Sequence, residues 1–462
     1  MNRSGFVPSI LGGMFMILLS GSPAKASTVI PPTTCQAQNP YMINQSGDYV
    51  LNSDITCNDS TAIIVNADNV TIRLKGFSIR CWAPPITVPH GDVTYKNSCQ
   101  GSFYTGSDLG QHIKDCGVWT NGHSNVKIQG PGMIQGFGVG ILLDGSGMQT
   151  CGAMTAASPA ASAFNVKAQR INVTGPDGRS DISDPIAGPR PRSFGIIAVN
   201  FLENAGTCSK WDSDDGHTHG NEIFGNSVDN YTEGIALYNA SRVDVHENFV
   251  HDNNDAGDSA VSSPVCTTVL GITTCVITPV TTYESHGILV CANDTSNPNR
   301  ASACTPGMSF RNKIRNNLIV DNGQNSCIGS GCSTNNNTPG PENDSTEQID
   351  GGLSLIGVAN KNDVTNNTVI GNNGDGISLR NGADMNRISS NSSLMNTSTD
   401  APYTATGQPT MPHFWDITFR GAGANGVGGN NIINSNNRCL TQTSDVPAGV
   451  CGAGQNTTWW QP

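Results

Sequence analysis

The chain is short of charge and of aromatic side chains, and past its first two dozen residues it has no long apolar run. Charged residues make up 13% and aromatic residues 6% of the 462 residues. So few charges leave little from which to build the polar faces and i, i+4 ion pairs of surface helices. No stretch beyond Ala26 is apolar and long enough to cross a bilayer, so no integral membrane segment is expected in the mature chain. Basic residues are scarce too. Lys and Arg number 24 against 36 Asp and Glu, a formal net charge of −12, which argues against nucleic acid as a partner. An acidic polysaccharide stays open, provided one face is locally basic or a cation bridges. No Cys-x-x-Cys or clustered His/Cys spacing occurs, which excludes a thiolate zinc site.

What is present begins with a removable leader. Arg3 supplies a positive start, Ile10 to Leu19 an apolar run, and Ala24-Lys25-Ala26 a small-x-small cleavage site. This is the pattern of a secretory signal peptide over residues 1–26, cleaved near Ala26, which predicts a secreted, periplasmic or cell-surface protein. Losing Arg3 and Lys25 makes the remaining chain two units more acidic. Fifteen cysteines follow the leader, and in an exported chain they imply disulfides. Near neighbours in sequence suggest Cys35 with Cys57, Cys266 with Cys275, Cys291 with Cys304, Cys327 with Cys332 and Cys439 with Cys451, and Cys151 with Cys208 would close a longer loop. Cys81, Cys99 and Cys116 leave one thiol over.

Glycine is abundant, at 53 residues, and asparagine is frequent, which suits tight corners between short strands. The stretch from Gly220 to Asn254 states one phrase twice. Ile223, Val228, Ile235 and Leu237 are followed by Val243, Val245, Phe249 and Val250, with Asn-rich corners between. Ile223 and Val245 are 22 residues apart, while Leu353 and Ile377, like Val364 and Ile388, are 24 apart. Val70, Ile72 and Leu74 alternate with Thr71, Arg73 and Lys75, the period of a strand with one buried face. A unit this small cannot bury its apolar face alone and must stack on copies of itself. Residues 27–60 are expected to cap the first coil, 61–440 to form the stack, and 441–462 to close it. Val261 to Thr282 reads as a disulfide-clipped hairpin standing off the coil around Leu270-Gly271.

The phrase Asn-x-Ile-x-x-Asn, with Val for Ile in the third case, followed by Gly-Ile or Gly-Leu occurs at Asn221–Asn226, Asn312–Asn317 and Asn362–Asn367. It is similar to the repeat of right-handed parallel β-helix proteins, the pectin-lyase-like superfamily. The resemblance covers most of residues 60–440. It implies an all-β solenoid, a right-handed parallel β-helix with disulfide-clipped loops and capped ends. Asn side chains would stack at equivalent corners as hydrogen-bonded ladders.

In such a coil, residues far apart in sequence become neighbours, so chemistry is sought by aligning turns. The residue before each Gly-Ile phrase gives a column of Val139, Phe194, Glu233, His286, Gly351 and Asp375. Asp258 is expected to take the turn between Glu233 and His286. Two carboxylates beside a His are what acid–base cleavage at a sugar requires. This column resembles a degraded polygalacturonase pattern at Tyr231-Thr232-Glu233, Asp258-Ser259 and Ser285-His286-Gly287. Each element departs from that family, and the second carboxylate of the middle pair is missing.

A second column is the outward face of the strand phrase. With Val243 and Val245 inward, alternation sends Arg242, Asp244 and His246 outward together. Lys313 and Arg315 follow in the same parity one turn on, then Asp363 and Thr365, then Arg387 and Ser389. Asp244 or His246 is positioned as a base and Arg242 to neutralise a sugar acid, with Lys313 and Arg315 to bind substrate. The run from Lys210 to His219 adds Trp211 as a sugar-stacking plane, with Asp212, Asp214 and Asp215 as oxygen ligands for Ca²⁺.

These readings leave two function classes. One is an exported polysaccharide-active enzyme, monomeric, with lyase, epimerase and hydrolase open. The other is a non-catalytic surface or adhesion protein that binds glycan along its stacked face.

Overall fold

The structure is a computed structural model. It describes residues 26–32, 35, 39–57, 60–81, 86–87, 94–95, 116–145, 163–175, 193–199, 201, 220–253, 265–269, 272–276, 285–292, 309–323, 351–357, 359–372, 374–380, 382–396, 416–420, 431–434 and 436–439. Among these residues there is no helix. The strands form three long sheets in which every pairing is parallel, and each strand's neighbour lies one turn on in sequence. Sheet A has eleven strands, sheet B ten and sheet C ten. The chain runs B to A to C on every turn, as in residues 233–238, 243–246 and 249–251. Repeated parallel crossovers of this kind wind in the right-handed sense, and the product is a right-handed parallel β-helix.

The equivalences read from spacing hold at residue level. Ile223 pairs Val245, Leu353 pairs Ile377, and Val364 pairs Ile388. The inner strands of sheet A are three or four residues long and alternate half-exposed with buried, as in Lys313–Arg315 and Asp363–Thr365. The buried set points into the coil. Ile72, Ile128, Ile223, Val245, Ile314 and Val364 are fully buried in one apolar column, each contributing about 1.5–3 kcal/mol of burial.

Three corners per turn bend the chain, and left-handed residues make them. Arg242, Arg311 and Lys361 have φ of 58°, 56° and 56° before sheet A, and Glu247, Asn316 and Asn366 take 55°, 56° and 57° after it. Beside the corners run ladders of buried Asn. Asn226, Asn248, Asn317, Asn367, Asn391 and Asn437 are joined amide to amide at 2.9 to 3.1 Å. A second such ladder joins Asn312, Asn362, Asn386 and Asn431, and a third joins Asn253, Asn322, Asn372 and Asn396.

The Gly of each Gly-Ile phrase has a separate cause. At Gly195, Gly234 and Gly287 an added Cβ would lie 2.5 to 2.7 Å from the carbonyl oxygen of the next glycine in the column. Only a missing side chain lets successive turns close to that distance.

The strands of residues 28–57 already belong to the three sheets, so the expected N-terminal cap contributes rungs of the coil itself. Cys35 and Cys57 are bonded, and Cys81, Cys291 and Cys439 are also in disulfides. Residues 265–269 and 272–276 form an antiparallel hairpin with Cys266 opposite Cys275. No helix among the described residues is long and apolar enough to cross a membrane.

Replacing Asn317 by Ala strands the amides above and below it in a dry ladder. We expect a loss of about 1–3 kcal/mol, the cost of leaving buried polar groups unmade, read as a lower urea midpoint. The exposed Asn316→Gly, which keeps the left-handed corner, should cost less than half as much.

Candidate functional site

Sheet B and sheet A present different outer faces. The long connections all fall at the ends of sheet B strands, and the A-to-C corner is short on every turn. The outer face of sheet B is buried and largely apolar at its N-terminal end, where Val139, Leu142, Phe194, Ile197 and Tyr238 form a second cluster separate from the interior. The Phe194 and Tyr238 rings meet edge to face, with centroids 5.6 Å apart.

The first column lies on this face. Val139, Phe194, Glu233, His286, Gly351 and Asp375 stand in register on successive strands. Glu233 Oε2 is 3.1 Å from His286 Nδ1, and both side chains are 0% exposed. Asp375 is buried as well, two rungs from His286. Asp258 does not take the place expected for it. The strand of Glu233 pairs directly with that of His286, so no rung intervenes, and Asp258 itself lies outside the described residues. Both side chains of the Glu233–His286 pair are closed off from solvent.

The second column is open. Two outward rows run along sheet A. One carries Asp48, Thr71, Lys127, Lys167, Glu222, Asp244, Lys313, Asp363 and Arg387; the other carries Val50, Arg73, Gln129, Gln169, Phe224, His246, Arg315, Thr365 and Ser389. Together they hold six Lys and Arg against four carboxylates, on a chain whose net charge is −12. Lys313 and Arg315 stand in register with Asp244 and His246, as the sequence parity predicts.

At the centre of these rows the side chains form a network. Glu222 takes His246 Nε2 at 2.8 Å, Lys167 Nζ at 3.0 Å and Gln169 Nε2 at 2.8 Å. Arg315 grips Asp244 with two bonds, Nε to Oδ1 at 3.0 Å and a terminal nitrogen to Oδ2 at 2.9 Å. The His246 ring stacks on Phe224 at 4.6 Å between centroids, and the guanidinium of Arg170 lies 5.4 Å from the same Phe224 ring. His246 is 8% exposed; its Nδ1 has no hydrogen-bond partner, with Glu247 Oε1 3.6 Å away. A proton on Nε2 facing Glu222 leaves the lone pair on Nδ1.

The carboxyl of Glu222 is pushed up by burial, yet the bonds from His246 and Lys167 outweigh this and hold it below the usual glutamate range. The opposite holds at Asp363, where burial pushes the carboxyl up against the pull of Arg387 and Lys313. Asp244 in turn helps raise Arg315 further, chiefly through their hydrogen bonds.

Arg242 does not join this face. Alternation would place it beside Asp244, but its left-handed φ of 58° makes it a corner residue. It is 3% exposed, and burial, then the neighbouring Arg311, lower its pKa. The sequence reading missed Glu222, Lys167 and Lys127. Each sits in the strand phrase at the position of Asp244, so aligning the turns one, two and three rungs further back finds them. Trp211, Asp212, Asp214 and Asp215 lie outside the described residues. Among the described residues no group of three or more His, Cys, Asp or Glu forms a metal-binding cluster.

Two outcomes check this geometry. Glu233→Ala removes one half of a dry pair and should cost about 3–5 kcal/mol of stability, measured by denaturant unfolding, with Glu233→Gln less damaging. The lowered pKa of Glu222 means its stabilisation is present above the unfolded glutamate pKa and lost as pH falls through the folded one. Glu222→Gln should therefore lower stability most at neutral pH, with the difference from the unaltered protein shrinking as pH falls and the acid limb of the stability–pH curve flattening.

No family model matches the chain, and no curated protein matches it. Solved structures are similar in outline. The Dettilon tailspike protein is 14% identical with a TM-score of 0.41, over 89% of this chain and 67% of that one. The periplasmic alginate epimerase AlgG is 11% identical with a TM-score of 0.34, over 83% of this chain and 70% of that one. A tailspike protein double mutant of E. coli bacteriophage HK620 is 11% identical with a TM-score of 0.37, over 85% and 60%. The assignment of the fold to this chain rests on its own three parallel sheets.

Proposed function

We propose that the protein is exported and binds an acidic polysaccharide, one carrying uronate or similar groups, on the outer face of sheet A. The observation that supports this is the local reversal of charge. An acidic chain gathers six cations along two register-locked rows on the outer face of sheet A, none of them buried, against four carboxylates. Charge complementarity of this kind steers and orients a charged ligand. Export is supported by the leader pattern and by the disulfides at Cys35, Cys57, Cys81, Cys291 and Cys439.

A catalytic reading is favoured by one feature, the Glu222–His246 pair, whose Nδ1 takes no hydrogen bond but is buried, so the ring must turn outward before it meets a sugar. A base held by a carboxylate is what abstraction of the proton α to a uronate carboxyl requires. That step leads to β-elimination, as in a lyase, or to return of the proton on the other face, as in an epimerase. His246 then acts as base and Glu222 holds its tautomer.

Binding is tested by calorimetry against polygalacturonate, alginate and a neutral polymer such as dextran. We expect affinity for the acidic polymers only, falling steeply with salt. Catalysis is tested on the same polymers by absorbance of unsaturated uronate and by exchange of the α-hydrogen with deuterated water. His246→Ala should abolish either signal while keeping binding. Retained binding with both signals absent from the unaltered protein assigns the non-catalytic role. Equal affinity for dextran would reject the sheet A assignment.

A further inference from the structure

Sheet A is long in one direction and narrow in the other. Each of its inner strands offers two outward positions, and left-handed corners close both sides, so the face falls away after a few ångströms. Along the coil axis the same two rows continue without a break from Thr71 to Arg387. A polymer laid across the strands' short dimension meets one or two sugars' worth of surface. A polymer laid along the axis meets every rung.

The charges on these rungs are not equivalent. In the centre they are spent on one another, Lys167 on Glu222 and Arg315 on Asp244. Lys127 and Arg387 stand at the two flanks in the same row as Glu222 and Asp244. Lys127 is half-buried and Arg387 exposed; among the described residues neither is within salt-bridge distance of a carboxylate, and Arg387 adjoins Asp363 on the neighbouring rung. The face therefore has a cationic flank, a centre whose charges are already matched, and a second cationic flank.

We infer that the bound polysaccharide runs parallel to the coil axis over sheet A, with acidic sugars seated at Lys127 and at Arg387 and the sugars between them crossing the paired centre. This rests on the proposed binding face and adds the orientation, reach and charge spacing of its ligand. Lys127 and Arg387 are six rungs apart, about 29 Å at the ~4.8 Å spacing of paired strands. An extended 1,4-linked chain needs about six or seven sugars to touch both, taking each sugar as roughly one rung long. The matched centre tolerates a neutral sugar as readily as an acidic one, so the ligand class extends to heteropolymers whose acidic units are spaced apart.

The test is affinity against chain length, measured by calorimetry on purified oligogalacturonates of graded size. For the unaltered protein, affinity should climb until about six or seven sugars and then level off, as the geometry above requires. Lys127→Ala and Arg387→Ala should each weaken the long oligomers about tenfold and leave a trimer nearly unchanged, and the double variant should lose the dependence on length. Both side chains are on the surface, and unchanged melting temperatures confirm that the variants fold. A plateau at two or three sugars, or long-oligomer affinity indifferent to both substitutions, overturns the axial arrangement while leaving sheet A as the binding face. No binding to any acidic oligomer or polymer removes the binding face and this inference with it.

Discussion

Asn317 makes four hydrogen bonds with one amide. Its Oδ1 accepts from the backbone nitrogen and the side chain of Asn248 on one turn, and its Nδ2 donates to the carbonyl of Val245 and to Oδ1 of Asn367 on the next. That uses every donor and acceptor site an amide has. The same arrangement recurs at Asn248, Asn367 and Asn391, so the ladder ties each turn to its neighbours in a single register. A slip of one residue would bury an amide with nothing to bond and would turn the apolar column outward. All else in the molecule presupposes this register, including the two charged rows of sheet A.

Register is also how a chain of low charge density assembles a polar site. Lys167, Glu222 and His246 come from three different turns, and Asp244 and Arg315 are 71 residues apart. None of these contacts is a linear motif. Each arises because one position of the strand phrase recurs about every ~4.8 Å along the axis. The coil converts a periodic sequence into a row, and the identity of the residue on each rung decides the row's electrostatics.

Much of this was legible in the sequence. The spacing from Ile223 to Val245 and from Val364 to Ile388 gives the coil, and the parity of Asp244, His246, Lys313 and Arg315 gives the open face. Two readings failed for physical reasons. Glu233 and His286 are 53 residues apart, more than two repeats, which invites an extra rung at Asp258. Counting residues cannot tell a rung from a chain segment that leaves the coil and returns. Arg242 was placed outward by alternation, and a left-handed φ at a bulky residue, which costs roughly 1–2 kcal/mol, carries no sequence mark comparable to a Gly or Asn. The Glu222–His246 bond was within reach, because Asn221-Glu222-Ile223 and Arg242-Val243-Asp244-Val245 occupy the same part of successive turns.

The account places ligand on sheet A and treats the buried Glu233–His286 pair of sheet B as part of the frame. A crystal structure of the protein with a bound oligogalacturonate tests that division most directly. We predict sugar rings over Glu222, His246 and Arg315, with the chain following the coil axis. Sugar seated instead on the outer face of sheet B beside Glu233 and His286, or on sheet C, would contradict it.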